Sequence, residues 1–244
     1  MLDYNSHDLS EALEALLDQP LEQRDADTPP RAYLGASSLG EDCARKLQYQ
    51  FFAAPKDPGR HFPGRVLRVF ARGHRVELWM AEWLRLAGFE LATEQADGGQ
   101  FGFSLADGLI RGHADGVLLN GPALLTYPAL WESKAVGHKT FGELKKKRLA
   151  LSRPVYAAQI ALYQAYLGLH EEPALFTAIN VDTMDVYAER VPFDAALAQR
   201  MSDRAGDILR ACEAAELLPR FATTSSHYEC RFCAWQDRCW SQAA

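Results

Sequence analysis

The sequence predicts an α/β fold, in which short β-type runs are interleaved with longer amphipathic helices. Three observations carry that expectation. Runs of β type at 98–104, 109–119, 129–136, 174–181 and 185–191 are set apart by turn signals such as Asn120-Gly121-Pro122 and Tyr127-Pro128. Stretches 65–87, 153–169 and 194–217 space their apolar residues as helices do. Finally, Cys230-Arg-Phe-Cys233 followed by Cys239 marks the C-terminal tail as a place where thiols gather.

A chain of 244 residues that is 48% apolar is long enough for one large domain or two small ones. No apolar run approaches the ~20 residues of a membrane span. The first thirty residues are acidic and lack the basic-then-apolar order of a leader peptide. The expectation is a cytoplasmic protein with no membrane partner. Five unevenly spaced cysteines in such a chain suggest metal binding sooner than disulfides.

The net charge of −6 is unevenly placed. Residues 1–30 hold eight acidic side chains against Arg24 alone, a net of −7, which leaves +1 on residues 31–244. Within Gly40–Arg75, eight Lys and Arg face Glu41, Asp42 and Asp57, a net of +5 that suits a phosphate-facing surface. The division expected is an acidic N-terminal helix and linker, 1–30, followed by one functional domain, 31–244.

Taken in order, 7–17 reads as a short acidic helix with Leu9, Ala12, Leu13, Leu16 and Leu17 on one stripe, and Pro20, Pro29 and Pro30 make 19–30 a linker. The helix either packs on the main domain or serves as a partner-docking or DNA-mimicking arm. Ser38 and Glu41 have capping-box spacing, so a helix is expected from there to about Phe52, with Cys43 in its first turn. The next helix, 65–87, should bury Val66, Val69, Phe70, Gly73, Met80, Trp83 and Leu84. His74 lies beside that stripe, followed on the helix by Glu77, and alone it reads more readily as a satisfied core histidine than as a ligand.

The run 109–119 carries Asp115, and 129–136 carries Glu132, Ser133 and Lys134. Side chains alternate along a strand, so Glu132 and Lys134 leave one face and Trp131 and Ser133 the other. If the two runs pair, Asp115 comes alongside Glu132. Carboxylate oxygens are the natural ligands of Mg²⁺ or Mn²⁺, and a lysine beside them can orient a water. Next, 139–148 is basic, either an excursion over the site or a solvated helix face. In the apolar helix 153–169, Gln159, Tyr163 and Tyr166 share a face, and a Gln in such surroundings must meet a partner. Helix 194–217 contains Cys212, which reads as a buried free thiol.

The Asp…Glu-x-Lys pattern resembles the PD-(D/E)XK nuclease superfamily. One upstream cysteine, Cys43, together with the trio Cys230, Cys233 and Cys239 resembles the iron–sulphur subgroup of RecB-like nucleases, which includes the CRISPR-associated exonucleases and the nuclease domain of AddB. The resemblance spans 37–240 by motif order. It implies a restriction-endonuclease-like core, a mixed central sheet flanked by helices. It further implies that His74, Asp115, Glu132 and the Ser133 carbonyl hold Mg²⁺ or Mn²⁺, that Lys134 positions water, and that Gln159 and Tyr163 steady Lys134 or the phosphate. Cys43, Cys230, Cys233 and Cys239 would hold a 4Fe-4S cluster; the alternative is zinc, with His227 as a further candidate ligand.

The activity so implied is a divalent-metal-dependent DNA exonuclease working from free ends, single strands favoured, in a prokaryotic or phage-encoded protein. Two other readings stand beside it: a structure-specific endonuclease, and a DNA-binding subunit of a recombination, repair or CRISPR-adaptation complex. No G-x-x-x-x-G-K-[ST] loop is present, so this chain carries no P-loop motor.

Overall fold

In the computed structural model, residues 7–95 and 98–241 are described. The acidic segment 1–30 therefore falls within them only from residue 7. Helix α1 (His7–Asp27) is followed by β1 (Leu34–Gly35), α2 (Ala44–Phe51), α3 (Gly64–Leu86), β2 (Glu90–Ala92), β3 (Gly102–Leu105), β4 (Ile110–His113), β5 (Gly116–Asn120) and β6 (Ala129–Val136). Then come α4 (His138–Ser152), α5 (Pro154–Tyr166), β7 (Ala174–Asn180), β8 (Val186–Val191), α6 (Ala195–Glu213) and two short tail helices, α7 (Tyr228–Arg231) and α8 (Gln236–Ser241).

The central sheet has the order β2-β5-β6-β7-β8. Only β6 and β7 run parallel, because α4 and α5 carry the chain back between them. Residues of α3 (Val76, Met80, Ala81, Leu84) pack with Trp131 of β6 and Leu118 of β5 in one apolar cluster. Leu130 and Val136 of β6 belong to the other, with Leu144, Ile160 and Ile208 from α4, α5 and α6. The sheet is thus mixed and covered by helices on both faces, as expected.

The run 109–119 is not one strand. Its first half, β4, lies in a separate sheet ordered β1-β4-β3, and its second half, β5, joins the central sheet. The chain crosses between sheets at Ala114 and Asp115. Close packing fixes the crossing: a Cβ on Gly112 would meet the rings of Phe103 and Tyr163, and one on Gly116 would meet the Ala92 carbonyl.

Three further expectations are corrected, and one open alternative is decided. Helix α1 does not stop before Pro20 but continues to Asp27, held to α3 on both sides of the proline. Glu14 and Asp18 pair with Arg68, and Glu22 accepts from the Gly64 N–H at 2.7 Å. It docks by its acidic side, so Leu9, Leu13, Leu16 and Leu17 remain exposed. On α3, Val69, Phe70 and Trp83 are exposed, and the buried stripe runs instead through Val76, Met80 and Leu84. Ser38 and Glu41 form no capping box, since Ser38 Oγ bonds the Gly35 carbonyl and Glu41 pairs with Lys46; α2 starts at Ala44, with Cys43 as its N-cap residue. Of the two readings of 139–148, the structure has the solvated helix face: the segment lies in α4, with Lys145, Lys146 and Lys147 exposed.

Candidate active site

The site lies where β5 leaves β6. Pairing between them begins at Gly116 opposite Trp131, and on the other side of Gly116 the chain departs for the second sheet. That departure leaves the Ser133 N–H without a strand partner on that side, and Asp115 Oδ2 accepts it at 2.8 Å. Asp115 is thereby placed beside the Glu132–Lys134 segment.

Glu132 is fully buried on β6. Its Oε1 accepts from Lys134 Nζ and, at 2.7 Å, from Gln159 Nε2. The same amide nitrogen of Gln159 lies 3.1 Å from the Tyr163 hydroxyl, which accepts from it. Lys134 also sits over the Tyr156 ring, 5.4 Å from its centroid. The partner that Gln159 finds is thus the Glu132 carboxylate, rather than Lys134, and Tyr163, one turn on along α5, reaches it only through Gln159. Tyr166 does not join them; its hydroxyl bonds Ser202 Oγ at 2.7 Å.

The electrostatics are those of crowded carboxylates. Burial pushes the Glu132 carboxyl up to about 8; Lys134 opposes that rise and Asp115 adds to it. Burial likewise raises Asp115, against the pull of Lys134, the Ser133 N–H and His74. Burial would lower the Lys134 ammonium, but Glu132 and Asp115 more than reverse it, so the lysine is held protonated. Tyr163 is raised by burial and by Glu132.

His74 is exposed on α3 and reaches Asp115 through its field. Glu77 is a site residue that the sequence argument passed over. It lies three positions on from His74, on the same helix face, and burial with the nearby Asp115 raises it to about 7. The i, i+3 spacing was the available signal. Glu132 Oε2 is buried and has no hydrogen-bond partner. That open oxygen, beside Asp115 and Glu77, fits a divalent cation by its chemistry. Among the described residues, however, no three His, Cys, Asp or Glu side chains are arranged to hold a metal ion as they stand.

The cysteines meet at a second place. Cys43, Cys230, Cys233 and Cys239 all line one cavity, together with the cations Arg45, Lys46 and Arg220. Burial pushes the Cys230 and Cys233 thiols up, and each feels both Cys43 and Cys239. Cys212 is buried elsewhere, against the Gln48 amide. His227 is not among the lining residues and receives the Glu229 N–H.

No protein family matches the chain by sequence, and no curated protein does. Solved structures do match. The crystal structure of an alkaline exonuclease (LHK-Exo) from Laribacter hongkongensis superposes with a TM-score of 0.53 at 15% identity, over 81% of this chain and 93% of that one. The same exonuclease in complex with dAMP gives 0.53 at 16% identity, over 75% and 89%. The crystal structure of SSO0001 gives 0.50 at 14% identity, over 97% and 98%. At such identities the likeness concerns the fold alone, and that fold is the restriction-endonuclease-like one, a mixed central sheet flanked by helices.

Proposed function

We propose that the chain is a divalent-metal-dependent deoxyribonuclease of the iron–sulphur RecB-like type, an exonuclease that favours single-stranded DNA. The observation that carries the reading is Asp115, Glu132 and Lys134 gathered where β5 leaves β6, with Gln159 fixing one oxygen of Glu132 and the other left open. The fold is one shared with an alkaline exonuclease, and in that protein the dAMP complex shows a nucleotide bound.

Asp115 and Glu132, with Glu77, His74 and the Ser133 carbonyl, would hold Mg²⁺ or Mn²⁺, which supplies Lewis-acid polarisation of the scissile phosphate. Lys134, kept protonated by its carboxylate neighbours, orients the attacking water and offsets charge building on the phosphate. Gln159 holds one oxygen of the Glu132 carboxylate, and Tyr163 holds Gln159. At the second place, Cys43, Cys230, Cys233 and Cys239, which line one cavity, would hold a 4Fe-4S cluster. Arg45 supports that reading, since it is buried and its Nη1 lies 3.9 Å from Cys239 Sγ, a cation ready to offset thiolate charge.

The test is digestion of 5′- and 3′-labelled single and double strands by anaerobically purified protein with Mg²⁺ or Mn²⁺. Glu132→Ala and Lys134→Ala should each abolish cleavage and leave DNA affinity within about threefold, because phosphate contacts from the basic surface supply most of the binding. Full cleavage by Lys134→Ala at saturating Mn²⁺ overturns the reading.

A further inference from the structure

One turn along α3 from His74, and two from Glu77, Phe70 stands on the same helix face. It is 47% exposed, and it meets the loop residue Phe62, 43% exposed, edge to face at 5.1 Å between centroids. Lys56 Nζ lies 4.8 Å from the centroid of the Phe62 ring. Neither phenylalanine belongs to an apolar core cluster. Two large rings in contact, both open to water and topped by a cation, are poor packing and a good surface for a nucleobase with its phosphate.

The loop that presents Lys56 and Phe62 is held from below by the cysteine tail. Asp57 is buried, its N–H donates to the Ala234 carbonyl at 2.8 Å, and its carboxylate accepts from Asp237 N at 2.6 Å and Arg238 N at 3.2 Å. Arg60 donates to the Arg231 carbonyl and to Gln236 Oε1, and the Trp235 indole donates to the Ala54 carbonyl. These anchors give the ring pair a fixed place relative to α3.

We infer that Phe62, Phe70 and Lys56 form a seat for an unpaired base of single-stranded DNA beside the cleavage site. The inference rests on the nuclease reading and names the strand state that the same site accepts. Seven residues of helix rise by ~10 Å, so the seat stands about that far along α3 from the Glu77 carboxylate, a reach of about two nucleotides. A paired base inside a duplex has no free face to offer it, whereas every unpaired base does.

The experiment compares the full chain with Phe62→Ala/Phe70→Ala and with Phe62→Trp/Phe70→Trp, without divalent metal, by anisotropy of a labelled single strand and a blunt duplex of equal length. Base stacking of the usual strength predicts that the alanine pair weakens single-strand binding by ~10-fold or more. Duplex binding should stay within threefold, and the tryptophan pair should keep single-strand affinity. Circular dichroism and melting temperature confirm that each variant is folded. Unchanged single-strand affinity in the folded alanine pair overturns the inference, as does equal weakening for both DNAs. So does a wild-type dimer that becomes monomeric in the alanine pair, since the face would then serve a second copy. Hydrolysis of bis(p-nitrophenyl) phosphate, which has no base to stack, separates the two readings. Its absence in the wild type with Mn²⁺ counts against the nuclease, and its survival in the alanine pair shows the cleavage site intact.

Discussion

Gln159 Nε2 donates to Glu132 Oε1 at 2.7 Å, and Glu132 Oε2, in the same buried carboxylate, is left with no partner. One oxygen is therefore fixed by the protein and the other is available to a cation. A buried carboxylate with an unmet acceptor is costly in a structure that does nothing with it.

Removing the support of that fixed oxygen should damage catalysis more than folding. Gln159→Ala should lower kcat by ~10-fold, the order expected for losing one hydrogen bond to a charged group, and Tyr163→Phe, which loses only the bond to the Gln159 amide, by less. The apolar residues of α5, Ile160 and Leu162 among them, keep their packing, so melting temperature should fall by no more than a few degrees. A collapse of thermal stability in Tyr163→Phe, with kcat per folded molecule unchanged, would make these residues core and nothing more.

The raised carboxylates set a pH dependence of definite sign. Glu132 and Glu77 hold protons in the folded chain up to about 8 and about 7 that the unfolded chain gives up near its ordinary carboxylate values. Across that window the folded state binds more protons, so the metal-free protein should lose stability as pH rises through it. Divalent metal needs those carboxylates ionised, so its affinity should rise with pH, by ~10-fold per unit for each proton displaced. Melting scans from about pH 5 to 9, with and without Mn²⁺, should show curves that diverge as pH rises. A Mn²⁺-induced shift equal at both ends would remove the carboxylates as ligands.

Much of this site was legible because strand alternation and helix spacing are strict. The bounds of β6 match the expected run 129–136, and Glu132 and Lys134 leave one face as alternation requires. The partner that a Gln in an apolar helix must find proved to be Glu132. What misled was local pattern without tertiary context. The leucine stripe of α1 reads as a buried face, yet the helix docks through Glu14, Asp18 and Glu22, because α3 offers Arg68 and a free helix N-terminus. The run 109–119 reads as one strand because nothing in its periodicity marks Asp115 as a crossing between sheets. Glu77 was overlooked because a glutamate on a helix is ordinarily a solvated one, and it is burial together with the proximity of Asp115 that makes it otherwise.

The docking of α1 depends on a missing side chain. A Cβ on Gly64 would collide with the Asp18 side chain, which sits directly on that glycine. Gly64→Ala should therefore push α1 away from α3 and weaken the Arg68 pairs and the Glu22 contact together. Overpacking of this kind costs ~1–3 kcal/mol at the site, enough to loosen a helix held mainly by exposed ion pairs. Limited trypsin digestion should then cut faster at Arg24, while the core fragment beginning near Arg31 persists. Identical digestion of Gly64→Ala and wild type would mean that α1 is held by something other than this contact.

The cysteines allow the sharpest separation of metals. A four-thiolate iron–sulphur centre should give a brown protein with broad absorbance near about 400 nm, whereas zinc leaves it colourless. Cys43 caps α2, while Cys230, Cys233 and Cys239 belong to a tail that also anchors the 54–60 loop through Asp57 and Arg60. Loss of a ligand should therefore free the tail and unsettle the loop. For a domain of this size, a loss of several kcal/mol lowers the melting temperature by on the order of 10 °C. Cys212→Ser should keep its metal, because that thiol lies apart from the four and against Gln48. The measurement is iron and acid-labile sulphide per chain, with melting temperature, for each of the five Cys→Ser variants prepared anaerobically. Iron absent from the anaerobic wild type would refute the cluster, and zinc in its place, lost from the same four variants, would identify the alternative. Iron lost in Cys212→Ser but kept in Cys43→Ser would move the fourth ligand from the cap of α2 to the buried end of α6.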